Sequence, residues 1–164
     1  MSNSNQLTSV LKGMVGESNV IQDPDRLHAY AVDGLAPKAI VCPGSAAEIA
    51  RLLLYANAGK LAVVPRGSGT KMAVGGVPPK IDLVLSTVRL DRIVDYDIAN
   101  LSLTVEAGAR LAEVQKHLAG GKKGYFLPLD PPYSEKATIG GVIATNASGP
   151  KRYIYGSARD LLLG

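Results

Sequence analysis

The chain has 164 residues, 46% of them apolar and 20% charged, and 18 basic against 14 acidic side chains leave it a formal net charge of +4. That composition excludes a disordered or strongly acidic protein, and with no Lys/Arg block interleaved with aromatics it offers no footprint for nucleic acid. The single cysteine, Cys42, excludes an internal disulfide and a CxxC metal pair, and no apolar run approaches the length needed to span a bilayer.

The length suits one domain or two tightly joined subdomains, enough to bury about two thirds of the unfolded surface. The start, Met1-Ser2-Asn3-Ser4-Asn5-Gln6, is polar and lacks the basic and apolar regions of a secretory signal. With one thiol on an apolar run, the compartment leans to the cytosol.

Apolar residues Leu7, Val10, Leu11, Met14 and Val15 fall at helical spacing, and Gly16 is the expected stop. Asp23-Pro24 reads as N-cap and first position of a short helix through Tyr30, and Asp33-Gly34 as a turn. Ala39 to Cys42 is a short strand. Ser45 and Glu48 form a capping box for a helix carrying Ile49, Leu52, Leu53 and Ala56 on one face, with Gly59 at its end. Leu61 to Val64 is the next strand. Strand, helix and strand in succession predict a βαβ unit with the two strands parallel.

That second strand runs into Val63-Val64-Pro65-Arg66-Gly67-Ser68-Gly69-Thr70-Lys71. Pro65 is expected to stop the strand because it has no N–H to give a ladder. The glycine-rich stretch after it can aim consecutive N–H groups into one concavity, an anion site, with Arg66 and Lys71 bracketing it in positive charge. Met72 stands where a dinucleotide fingerprint needs its third glycine, and no Walker A run exists. A glycine turn without a ligand is the other reading of these residues.

The second half changes character. Residues 81–85, 91–97 and 101–106 read as short strands, the last alternating Leu101, Leu103 and Val105 with Ser102, Thr104 and Glu106, and Asp97-Ile98-Ala99-Asn100 is a hairpin turn. A helix is expected over 110–118, with Leu111, Val114, Gln115 and Leu118 on one side; His117, like His28, reads as a solvated residue. The prolines of Leu127-Pro128-Leu129-Asp130-Pro131-Pro132 make that segment rigid and extended. Residues 137–149 are almost wholly small, which admits a close backbone or a flat ligand, or else tight packing. The apolar finish Leu161-Leu162-Leu163-Gly164 suggests the front part of a longer protein. Composition and spacing stop at an α+β domain with an anion-binding groove.

Pro65-Arg66-Gly67-Ser68-Gly69-Thr70 resembles the P-R-G-x-G-T loop of the vanillyl-alcohol oxidase/p-cresol methylhydroxylase family of FAD-linked oxidases. Ala137-Thr138-Ile139-Gly140-Gly141, then Asn146-Ala147-Ser148-Gly149, then Tyr155-Gly156, resembles that family's second FAD-binding segment in order and spacing. Within the family the wording of 96–101, 125–132 and 144–150 is most similar to the E subunit of bacterial glycolate oxidase.

The resemblance implies a two-subdomain FAD-binding fold: a small βαβ subdomain over 1–80, then the start of a mixed or antiparallel sheet subdomain over 81–164, with the dinucleotide between them and the substrate cap beyond residue 164. Backbone N–H groups of Arg66, Gly67, Ser68, Gly69 and Thr70 would hold the pyrophosphate. Thr138, Gly140 and Gly141 would close on it. Asp130, Pro131, Pro132, Thr145, Ser148 and Gly149 would line the flavin and ribityl chain. Pro65, Ala137, Tyr155 and Gly156 belong to the same motifs. Some family members tether the flavin through a histidine where this chain has Thr70, which implies non-covalent FAD. The implied activity is oxidation of a small 2-hydroxy acid such as glycolate or lactate by the flavin. Its catalytic acid or base is expected beyond residue 164, so no catalytic residue and no metal ligand is assigned here. Partner subunits of an oxidase complex would place such a protein in the cytoplasm or peripherally at the inner membrane face. The alternative is a non-catalytic assembly subunit that keeps the fold.

Overall fold

The structure, a computed structural model, describes residues 3–121 and 124–164. Met1 and Ser2 of the polar start lie outside the described residues. Among the described residues, six helices, six strands and one 3-10 turn follow in the order α1 (Asn3–Val15), the turn Glu17–Asn19, β1 (Val20–Ile21), α2 (Pro24–Ala29), β2 (Ala39–Val41), α3 (Ala46–Ala58), β3 (Val63–Arg66), β4 (Leu83–Ser86), β5 (Ile93–Asp97), β6 (Ser102–Val105), α4 (Leu111–Ala119), α5 (Ile139–Ala144) and α6 (Arg152–Tyr155). The chain falls into two units, one made of Met1–Arg66 and Met72–Arg89, the other of Gly67–Lys71 and Leu90–Gly164.

The first unit is built on a four-stranded sheet ordered β1-β2-β4-β3. β2 and β3 both pair parallel to β4, with Ala39 and Val63 each opposite Leu83, while β1 is antiparallel to β2. The expected βαβ strands are therefore parallel but not adjacent, because β4 enters between them. Alternation along β2 and β4 sorts their side chains: Ala39, Val41, Leu83 and Leu85 pack with Leu11, Val15 and Leu52 of α1 and α3, whereas Ile40, Cys42 and Val84 pack on the other face with Val32 and Ile81. Both faces are covered, which is why these strands read as unbroken apolar runs. The caps form as expected. Asp23 Oδ1 accepts from the Arg26 amide at 3.0 Å, Ser45 Oγ from the Glu48 amide at 3.2 Å, and Glu48 Oε2 from the Gly44 amide at 2.8 Å.

Pro65 does not stop its strand; β3 runs through it to Arg66. The Leu83 amide donates to the Ala62 carbonyl and the Thr87 amide to the Arg66 carbonyl, both at 3.0 Å, so the even-numbered residues of β3 face β4. Pro65, in the odd position of an edge strand, turns its nitrogen outward and removes no ladder bond.

In the second unit β5 and β6 pair antiparallel, with Asp97 opposite Ser102 and a register shift between Ile93 and Asp95. Asp97 Oδ1 accepts from the Ala99 and Asn100 amides at 2.9 and 3.2 Å and closes the hairpin. Leu111, Val114 and Leu118 of α4 enter a core with Leu129, Ile139 and Val142. Gln115 clamps the proline-rich segment from both sides: its amide donates to the Leu127 carbonyl at 2.6 Å and its oxygen accepts from the Leu127 amide at 3.0 Å.

Candidate functional site

The two motifs meet inside the second unit. Gly67 lies against Thr138 so closely that a Cβ at position 67 would overlap the threonine hydroxyl oxygen. Thr138 is buried and β-branched, so it cannot swing aside. Only glycine fits this approach. Two residues on, Gly69 has φ 78°, a backbone conformation that L side chains rarely adopt.

The loop amides are the decisive feature. None of the backbone N–H groups of Gly67–Lys71 donates to a protein acceptor among the described residues. Gly67, Gly69, Thr70 and Lys71 are half-buried and Ser68 is exposed, so these five amides form a cradle of donors left open to water or to an anion. Arg66 differs from its expected place in that cradle. Its carbonyl takes the Thr87 amide, which aims its own N–H at β4 as well, and the free run begins at Gly67.

The small-residue stretch becomes the short helix α5. Thr138 caps it, its hydroxyl accepting from the Gly141 amide at 3.3 Å. The Ile139 amide donates to the Ala109 carbonyl and the Gly140 amide to the Ala107 carbonyl, both at 2.8 Å, and the Val142 amide to the Thr138 carbonyl at 2.9 Å. The first amides of α5 are thus committed, and what Gly140 supplies is space: a Cβ there would lie 2.8 Å from the Ala107 carbonyl oxygen. Ala107, which makes this contact, carries no signal in the sequence.

Asp130 organises the next segment. Both its carboxylate oxygens accept from the Lys151 amide, at 3.2 and 3.3 Å, and Gly149 packs onto its carbonyl with no room for a Cβ. Pro131 is buried and Pro132 exposed. Thr145 turns its hydroxyl to the Gly141 carbonyl at 2.8 Å, and Ser148 accepts from the Ala158 amide at 3.3 Å. Tyr155, at the end of α6, meets the Phe126 ring edge-on at 5.7 Å, and Gly156 follows with φ 87°. Tyr155 also lines a cavity of about 480 Å³ whose walls include Tyr96, Leu103, Leu118, Phe126 and Leu127. His117 is exposed beside Tyr96, and no group of three or more His, Cys, Asp or Glu side chains fit for a metal occurs among the described residues.

The family model described as "FAD binding domain" matches residues 37–164. This chain belongs to that FAD-binding domain family. Within it, the domain is 35% identical over 161 residues to a probable mitochondrial D-2-hydroxyglutarate dehydrogenase of Oryza sativa subsp. indica, covering 95% of this chain and 28% of that protein. It is 35% identical over 128 residues to glycolate oxidase subunit GlcD of Bacillus subtilis, covering 78% of this chain and 27% of that protein. The p-cresol methylhydroxylase structure superposes with TM-score 0.75 at 18% identity, over 91% of this chain and 31% of that one, which shows the shared fold. The chain thus spans little more than a quarter of the curated relatives it matches. The expected α+β FAD-binding fold of the p-cresol methylhydroxylase type is the fold found. Among the described residues no helix is long and apolar enough to cross a membrane.

Proposed function

We propose that the chain is the FAD-holding part of a flavin-dependent oxidoreductase that acts on a 2-hydroxy acid, with glycolate, lactate and D-2-hydroxyglutarate as the substrates to test. The observation that carries this reading is the run of five amides at Gly67–Lys71 without protein acceptors among the described residues, its first residue, Gly67, lying against Thr138. In it the amides of Gly67, Ser68, Gly69 and Thr70 hold the diphosphate, while Gly67 and Gly140, lacking a Cβ, let Thr138 and Ala107 pack directly against them. Thr145, Ser148, Gly149 and the Asp130 to Pro132 segment border the ribityl and flavin end. When bound, FAD supplies the hydride acceptor; the protein binds, orients and excludes water.

The cofactor is held without a covalent bond at Thr70, whose aliphatic hydroxyl stands where the tethering histidine of some relatives stands. Attachment to partner subunits at a membrane face belongs to the same proposal. A non-catalytic assembly role is the second reading. It is favoured by exposed apolar side chains on and after α6, where Tyr153 is 95% and Ile154 80% exposed.

Flavin fluorescence titration tests the main reading. FAD is expected to bind saturably and to be displaced by ADP, riboflavin is expected to bind at least tenfold more weakly, and acid precipitation is expected to leave the flavin in the supernatant. Equal affinity for riboflavin and FAD would overturn the diphosphate assignment.

A further inference from the structure

We infer that Lys71, and not Arg66, is the cation that neutralises the bound diphosphate; this rests on the diphosphate reading of the Gly67–Lys71 amides. The sequence offers both as brackets of the loop, and the structure separates them. The Arg66 guanidinium lies 4.0 Å from the centroid of the Tyr30 ring, and its Nη1 donates to the Ala29 carbonyl at 3.1 Å. That side chain is spent on joining β3 to the end of α2. A stacked, hydrogen-bonded guanidinium is a fixed structural group.

Lys71 is the opposite case. It is part-buried, yet no carboxylate, carbonyl or ring receives its ammonium among the described residues. Burial pushes its pKa below the ordinary lysine value, with no opposing charge to restore it. A lysine on an open loop ordinarily carries its head out to water along a flexible stem. Lys38 and Lys80 do so while still pairing with Asp82, at 2.7 and 3.0 Å, and their side chains are 63% and 59% exposed. Lys71 is half-buried with no protein partner among the described residues, and its own amide is the fifth free donor in a row, so its charge is free for an anion held on that run. A diphosphate on the 67–70 amides supplies it from the next residue along. Lysine suits this role as a compact charge that needs no bidentate geometry. The recognised chemistry is the diphosphate itself, so ADP and FAD should feel Lys71 alike.

The test compares Lys71→Met, Lys71→Arg and Gly69→Val with the parent chain. FAD, ADP and riboflavin are titrated at low and high salt, and thermal melting confirms that each variant is folded. Lys71→Met is expected to weaken FAD and ADP by about tenfold or more, as for a charged hydrogen bond. It should leave riboflavin unchanged and flatten the salt dependence of FAD binding. Lys71→Arg is expected to recover most of the affinity. If Gly69→Val abolishes FAD binding while Lys71→Met binds FAD with the parent's affinity and salt dependence, the Lys71 assignment is overturned and the diphosphate reading stands. If Gly69→Val also leaves FAD affinity unchanged, the diphosphate reading falls and the assignment with it. Equal loss for riboflavin and FAD in Lys71→Met would mark a structural role and overturn the proposal.

Discussion

Two stretches of the chain handle buried charge in opposite ways. Just before β2, β3 and β4, Asp82 has every acceptor filled: its oxygens take Lys38 Nζ at 2.7 Å, the Ala62 amide at 2.8 Å and Lys80 Nζ at 3.0 Å. The residues that meet here, Lys38, Ala62 and Asp82, each directly precede a strand, so one carboxylate fixes the starts of three parallel strands. Beyond the last residue of β3, the Gly67–Lys71 segment leaves five amides and the Lys71 ammonium without protein partners among the described residues. The first arrangement is complete in the protein alone. The second leaves its donors open to solvent or to a ligand. Polar groups satisfied from within hold the fold, and under the proposed function those left open are the ones a diphosphate would take.

The largest expected effect breaks the satisfied side. The Asp82 side chain is 3% exposed, so its removal opens a buried gap, leaves the half-buried Ala62 amide without its acceptor and breaks two lysine pairs at once. Asp82→Ala is expected to lower unfolding free energy by about 3 kcal/mol, read from the urea midpoint. Burial alone would raise the Asp82 carboxyl; the hydrogen bonds from Lys38, the Ala62 amide and Lys80 outweigh it and hold the group well below the ordinary carboxylate range. A depressed folded-state pKa means the contribution is present above the unfolded-state value and is lost as pH falls toward the folded one. The gap between parent and Asp82→Ala should therefore be widest near neutrality and shrink on acidification from about pH 5 to pH 3. A gap independent of pH would show that shape, and not charge, is what Asp82 provides.

Asp130 stands between the two cases: it is an acid satisfied mainly by backbone, inside the second unit. Its carboxylate takes the Lys151 amide while Gly149 packs against its carbonyl without space for a methyl group. Gly149→Ala is expected to cost about 2 kcal/mol through forced backbone movement, measured by the same unfolding experiment. The Lys151 hydrogen bond must then lengthen, and faster exchange of that amide is the local readout. A variant as stable as the parent would mean that the 149–151 segment yields freely and does not depend on Asp130.

The satisfied elements were the legible ones. Asp23-Pro24, Ser45 with Glu48, and the hairpin at Asp97 are local codes in which the cap and its target lie within three residues, and each forms as read. What distant pairing decides was not legible. β4 inserts between β2 and β3, so the two strands that the βαβ unit joins are not neighbours. Pro65 sits inside a strand because β3 is at an edge, a fact of sheet order that its neighbours in sequence do not carry. Residues 139–144 form a helix despite two glycines in its first turns, since the Ala107 and Ala109 carbonyls and the Thr138 hydroxyl hold the amides that propensity would leave loose. Asp82 left only a faint trace, an acid between Ile81 and Leu83 in an otherwise apolar run. The glycine loop was visible as residue types, but which of its two cations is free depended on Tyr30 and Ala29, some 37 residues upstream of Arg66 in the case of Ala29.

Thr138 gives the finest test, because it serves both sides of the comparison. Its hydroxyl satisfies the Gly141 amide from within, and the same group is the surface on which Gly67 rests beneath the open loop. Thr138→Val keeps the shape and removes the hydrogen bond, so it should lose about 1 kcal/mol of stability, as for other helix N-caps. Thr138→Ser keeps the bond and removes the methyl group, which frees a stiff side chain to rotate under Gly67. The expected result is a crossed pattern: the valine variant less stable with FAD affinity near the parent's, the serine variant near-normal in stability with weaker FAD binding. If valine lost FAD affinity and serine did not, the loop would be held by the hydroxyl, and the open amides of Gly67–Lys71 would depend on the same bond that closes α5.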